Sequence, residues 1–155
     1  MPRKNKKLPR HLLVIRTSAM GDVAMLPHAL RALKEAYPEV KVTVATKSLF
    51  HPFFEGVDVD FLDIEPRRTH RGIRGAIRFA REAAELKIDA VADMHNVLRS
   101  KMVRAALHLR GIPVSVIHKG RIEKYMRLGR GSEGVKPLKH TVIRYCDVFR
   151  TEIGR

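Results

Sequence analysis

The sequence has one cysteine and no tryptophan in 155 residues. Cys146 therefore cannot close an internal disulfide and has no metal-ligand partner at a recognisable spacing, which points to a cytosolic setting. Long apolar runs are missing as well. Leu12-Leu-Val-Ile15 is typical of the longest, whereas a bilayer-spanning helix needs roughly 20 apolar residues. The same run is too short for the apolar core of a signal peptide and Arg16 interrupts it, so the charged start Met1-Pro-Arg-Lys-Asn-Lys-Lys7 does not read as an export signal. Acidic residues are scarce: 16 Asp and Glu face 31 Lys and Arg, for a formal net charge of +15. That surplus attracts polyanions and opposes self-association. Aromatics are few, six Phe and three Tyr, and scattered, without the stacking cluster that single-strand nucleic-acid binders interleave with their cations. A phosphorylated small molecule, a lipid headgroup or a membrane surface fits the charge equally well. No internal repeat is visible, which excludes a solenoid. The eight histidines form no HxxxH or His-Cys cluster, so neither a metal site nor a cofactor is expected.

What the chain does contain is an apolar share of 45%, enough for the core of the single domain its length allows. Residues 1–10 are cationic and bounded by prolines, and read as a basic flexible tail; residues 11–155 read as the domain. Short β-branched runs alternate with stretches of helical period, the pattern of a parallel sheet with helices on both faces. The predicted strands are Leu12 to Arg16, Lys41 to Thr46, Asp60 to Ile64, Ala90 to Met94 and Val114 to Ile117. Leu26, Leu30, Leu33 and Tyr37 mark the stripe of a first helix, in which Pro27 stands either in the first turn or at a kink in a helix that began near Val23. Ile73, Ile77, Ala80 and Ala84 predict a second stripe, with Arg74, Arg78, Arg81 and Glu85 opposite. Leu98, Met102, Ala105 and Leu109 predict a third, ended by Gly111, and Val142, Tyr145, Cys146 and Phe149 a last one. The basic, Gly-rich stretch Lys119 to Gly134 is long for a connection, and such loops are usually functional or disordered.

In a parallel α/β sheet the ligand crevice opens at the carboxyl ends of the strands, so Thr17, Ser18, Gly21 and Asp22, after the first strand, stand where chemistry is done. The loop has too few glycines for a dinucleotide fingerprint and no Gly-Lys-Ser/Thr, which argues against nucleotide binding by this loop. Spacing alone reads Asp22 as an N-cap, and Thr17 and Ser18 equally as local turn bonds or as functional hydroxyls. Asp93, at the end of the fourth strand, orders a loop or serves the ligand at the same crevice edge, the former favoured. Arg67, Arg68, Arg71 and Arg74 form the densest cationic group, either a solvated face or a seat for anionic groups, and Arg121, Lys124, Arg127 and Arg130 make a similar second patch.

The run Ile15-Arg-Thr-Ser-Ala-Met-Gly-Asp-Val-Ala-Met-Leu-Pro27 resembles the opening signature of glycosyltransferase family 9, the ADP-heptose:lipopolysaccharide heptosyltransferases: Lys/Arg-Thr/Ser-Ser-small-Met/Leu-Gly-Asp, then Leu-Pro. Two further stretches are similar in order and distance. Ile88-Asp-Ala-Val-Ala-Asp-Met-His-Asn-Val-Leu-Arg-Ser100 resembles a family strand and helix start, with Asn96 where the family has glycine. Lys139-His-Thr-Val-Ile-Arg-Tyr145 resembles the His-x-x-x-Arg entry to the last helix of the family's N-terminal domain. The resemblance runs from about Leu12 to Gly154. It implies the Rossmann-like, acceptor-binding N-terminal half of a two-domain GT-B enzyme, with the donor-binding C-terminal domain expected outside this sequence. It further implies Asp22 as general base of an inverting transfer of heptose from ADP-heptose to a lipopolysaccharide core acceptor. Thr17, Ser18, Gly21, Asp93 and Asn96 would then position the acceptor or the loops, and Arg67, Arg68, Arg71 and Arg74 would meet its anionic groups. The setting it implies is cytoplasmic, peripheral at the inner face of the membrane. A non-catalytic basic module that binds nucleic acid or another polyanion is the alternative from a different class.

Overall fold

Strand β1 (His11–Ile15) is buried at every position, as expected of a central strand covered on both faces. In the computed structural model, which describes residues 8–65, 67–117 and 140–153, β1 pairs in parallel with β2 (Lys41–Thr46) on one side and β4 (Ala90–Asp93) on the other. With β3 (Asp60–Asp63) and β5 (Val114–Val116) the sheet is all-parallel, in the order β3-β2-β1-β4-β5. The crossovers are α1 (Met20–Ala36), the 3-10 helix η1 (Ser48–Phe54), α2 (Gly72–Glu85) and α3 (Leu98–His108), and α4 (Thr141–Ile153) follows. This is the Rossmann-like α/β fold expected from the sequence, and the strands agree with expectation to within a residue.

Alternation along the strands divides the core in two. Leu12, Val14, Val42, Val44, Ala90 and Ala92 meet α1, η1 and α4 on one face, while Leu13, Ile15, Ala45 and Val91 meet α2 and α3 on the other. The α1 stripe holds, with Leu26, Leu30 and Leu33 buried. Pro27 lies inside the helix, which starts at Met20, well ahead of it. In α4, Tyr145, Val148 and Phe149 enter the core.

Two stripes fall differently from expectation. On α2 the buried face is Gly75, Ala76, Phe79, Ala80 and Ala83, and Ile73 and Ile77 are exposed. The reason is a close approach: a Cβ at Gly75 would stand 2.1 Å from the carbonyl carbon of His70, so the helix turns the face that carries Gly75 inward, with Phe79 and three alanines. On α3 the inward residues are Ser100, Val103 and Leu107, with Leu98 and Leu109 exposed. Gly111 does end this helix. Its φ is +75°, its amide bonds His108 O at 2.8 Å and the next amide bonds Leu107 O at 3.3 Å, the Schellman arrangement. Folded structure also begins before His11. Leu8 packs on the core, Pro9 is buried, and the Arg10 amide donates to Asp89 at 2.8 Å. The rest of the expected tail lies outside the described residues.

Candidate functional site

The ladders run one residue past the strands at their carboxyl ends: Arg16 N–H reaches Ala45 O at 3.1 Å, Met94 N–H reaches Ile15 O at 3.0 Å, and Ile64 N–H reaches Thr46 O at 2.9 Å. The loops after β1, β2, β3 and β4 therefore leave from one rim of the sheet.

Asp22 is not an N-cap. That position belongs to Ala19, in extended conformation and without a side-chain cap, and Asp22 falls in the first turn of α1. Its carboxylate instead takes the guanidinium of Arg16 on Oδ2. Arg16 is buried, and its other terminal nitrogen donates to Met94 O, so one fork ties the ends of β1 and β4 to α1. The Asp22 side chain is 43% exposed against 8% for Arg16, so the carboxylate faces out from a cation that is held in. From below, the Tyr145 hydroxyl donates to Asp22 O at 2.9 Å. Gly21, in the same turn, has open space where a Cβ would stand.

Asp93 is fully buried and orders the loop after β4. Its Oδ1 accepts the amides of His95 and Asn96, both at 2.9 Å, and Arg104 Nε of α3 lies 3.6 Å from Oδ2. Asn96 has φ +47°, the left-handed conformation that glycine takes freely and asparagine tolerates best among the rest, and its side chain donates to Ile117 O at 3.2 Å. The buried His95 ring accepts the Thr17 amide on Nδ1 at 3.3 Å, which leaves Nε2 to carry the proton, 3.4 Å from Ser18 Oγ. Thr17, Ser18, Asp93 and Asn96 are thus brought together around His95.

Beside them opens a cleft of about 590 Å³ lined by Thr17, Ser18, Lys47, Ser48, Ile64, Glu65, Arg67, Arg68 and His95. The structure divides the expected arginine patch. Arg67 and Arg68 line the cleft, whereas Arg71 and Arg74 belong to the start of α2, and Arg74 lines a different groove. The division follows from His70, which is buried and anchors the loop: its Nδ1 accepts the Glu65 amide at 3.1 Å and its Nε2 reaches Glu82 at 2.9 Å. Asp22 itself does not line the cleft. The second expected patch, Arg121 to Arg130, lies outside the described residues.

Sequence reasoning missed Arg16, Lys47 and Tyr145. A lone cation closing an apolar strand six residues ahead of an aspartate was the available signal for Arg16; Tyr145 stood on the expected apolar stripe of the last helix, and nothing local marked the partner of its hydroxyl. Among the described residues, no group of three or more His, Cys, Asp or Glu could hold a metal ion, and no helix is long and apolar enough to cross a membrane.

No protein-family model matches the sequence, and no curated protein does. Solved structures match in fold. A family 9 glycosyl transferase from Veillonella parvula superposes with a TM-score of 0.68 at 19% identity, over 92% of this chain and 41% of its own. The E. coli heptosyltransferase WaaC, solved with ADP-2-deoxy-2-fluoro heptose, gives 0.64 at 18% identity over 93% of this chain and 48% of its own. Glycinamide ribonucleotide transformylase 1 from Symbiobacterium toebii gives 0.64 at 12% identity over 97% and 91%. The chain thus spans less than half the length of the glycosyltransferases it matches. Likenesses at these identities establish the fold: a Rossmann-like α/β domain of the kind that GT-B glycosyltransferases contain as part of a longer chain.

Proposed function

We propose that this domain is the acceptor-binding half of an inverting glycosyltransferase that moves a sugar, heptose from ADP-heptose, onto a lipopolysaccharide core or similar anionic glycolipid at the cytoplasmic membrane surface. The observation that carries the reading is the placement of Asp22. It stands in the first turn of α1, at the rim of the sheet where β1 ends, partly exposed, in a run that resembles the heptosyltransferase signature and whose Thr17 and Ser18 line a cationic cleft.

The acceptor hydroxyl gives its proton to Asp22 as its oxygen forms a bond to the anomeric carbon, and the bond from that carbon to the diphosphate breaks on the opposite face. ADP leaves with the electron pair and the configuration inverts. Arg16 holds the carboxylate in one orientation, and positioning of the acceptor supplies much of the rate. Lys47, Arg67 and Arg68 meet the acceptor's anionic groups, Arg in bidentate fashion. The donor diphosphate is held by a second domain.

The test is ADP release by the full gene product with ADP-heptose and a core acceptor. Asp22→Asn should lower turnover by about two to four orders of magnitude. It should also cost about 1–3 kcal/mol of stability, because the buried Arg16 loses its counter-charge, so a melt taken alongside separates the two effects. Turnover within a few-fold of the parent removes Asp22 from the chemistry.

A further inference from the structure

The apolar residues that the sequence assigned to the inside of α2 lie outside. Ile73 is 69% exposed and Ile77 45%. At helical spacing, Ile73, Ile77 and Arg81 form one row, and Arg74 and Arg78 the row beside it. Arg67, Arg68 and Arg71, also exposed, precede the helix. The acids lie at the far end, and Glu82 is occupied by Arg78 at 3.1 Å and His70 at 2.9 Å. A shallow groove between the rows is lined by Arg74, Ile77, Arg78, Arg81, Glu82 and Glu85.

We propose that this outer face of α2 docks on an anionic lipid bilayer, with the two isoleucines at the acyl boundary and the guanidinium groups at the level of the lipid phosphates. Charge complementarity selects the occupant. A second copy would bring like-charged rows together on a chain of net charge +15, and nucleic acid would find no exposed aromatic on this face of α2 to stack on, since Phe79 is turned into the core. The helix starts directly after the loop whose Arg67 and Arg68 line the cleft, so seating α2 brings the cleft to the headgroup level, where a lipid-linked acceptor would be presented. The inference deepens the membrane-surface placement in the proposed function by naming the face. Its test needs no turnover, so failure of docking and failure of catalysis are read separately.

Flotation of the full chain with phosphatidylcholine vesicles, with and without phosphatidylglycerol, is the experiment. Binding is expected to the anionic vesicles alone and to fall as salt is raised. Ile73→Ser with Ile77→Ser should reduce the partition coefficient about tenfold or more. Arg74→Gln with Arg81→Gln should do so by a similar factor, about fivefold for each arginine. All four side chains are exposed, and unchanged melting curves would show that the fold is kept. The proposal is overturned by equal flotation with neutral vesicles, by none with either, or by variants that float like the parent while removal of residues 2–10 abolishes binding. Concentration-dependent dimerisation lost in the isoleucine variant would assign the face to a second copy instead.

Discussion

The hydroxyl of Tyr145 donates to the main-chain carbonyl of Asp22 at 2.9 Å, joining α4 to the first turn of α1 across 123 residues of sequence. Burial pushes the Tyr145 phenol up to about 12; the Arg16 charge opposes this shift and the Asp22 charge adds to it. The bond is therefore made by a neutral hydroxyl over the whole physiological range.

Tyr145→Phe should keep the ring packing and lose about 1 kcal/mol, whereas Tyr145→Ala should lose about 3–5 kcal/mol through the cavity it leaves. Urea melts measure both. Because the folded value stands above the ordinary 10.0, the phenol's contribution is whole below pH 10 and is lost as pH rises toward 12. The parent should weaken over that window more steeply than Tyr145→Phe, and parallel curves would contradict the burial argument.

His11 makes the opposite prediction on the acid side. Burial lowers its pKa from 6.5; the bond to Leu86 O at 2.9 Å and the nearby carboxylates pull it upward, against a further lowering from Lys41. With Nδ1–H donated to Leu86 O, Nε2 is left to accept the Thr43 hydroxyl at 2.7 Å. A folded value below the unfolded one means stability present above pH 6.5 and lost as pH falls through the folded value. His11→Gln should flatten that acid limb in denaturant titrations run at several pH values.

Two glycines should respond differently to alanine. Gly75→Ala drives a Cβ into the His70 backbone and should cost about 2–3 kcal/mol, with displacement of the loop that carries Arg67 and Arg68. Gly21→Ala meets nothing within 4 Å and, in the first turn of a helix, should be neutral or stabilising by up to about 1 kcal/mol. Thermal melts of the pair distinguish a glycine the fold requires from one it tolerates; if Gly21→Ala also loses ADP release, the open space is needed by substrate.

The strands were legible because β-branched runs bounded by loop residues carry their own signal, and the α1 stripe because large residues repeat at helical period. The α2 and α3 faces were not. Periodicity weights isoleucine and leucine above alanine and glycine, yet Gly75 is what lets α2 approach the His70 loop, so the small residues went inward and Ile73 outward. The site was legible in part. Thr17, Ser18, Asp93 and Asn96 do gather at one rim, but the N-cap reading of Asp22 ignored a buried cation six residues away, and the partner of the Tyr145 hydroxyl could be found only from tertiary structure. The arginine group looked continuous along the chain, whereas the His70 anchor sends its two halves to different surfaces.

The position of β1 at the centre of the sheet has a consequence for synthesis. On the ribosome the strand can pair with β2 soon after it emerges, but its other edge must wait for β4; Asp89, just before that strand, lies 78 residues after His11. At roughly 5 to 20 residues per second the wait is about 4 to 16 s, with the apolar row Leu12 to Ile15 bare along one side. The interval from emergence of β1 to arrival of β4 is thus when the nascent chain is open to misassociation, and when a chaperone that covers unpaired strand edges would have the largest effect on yield.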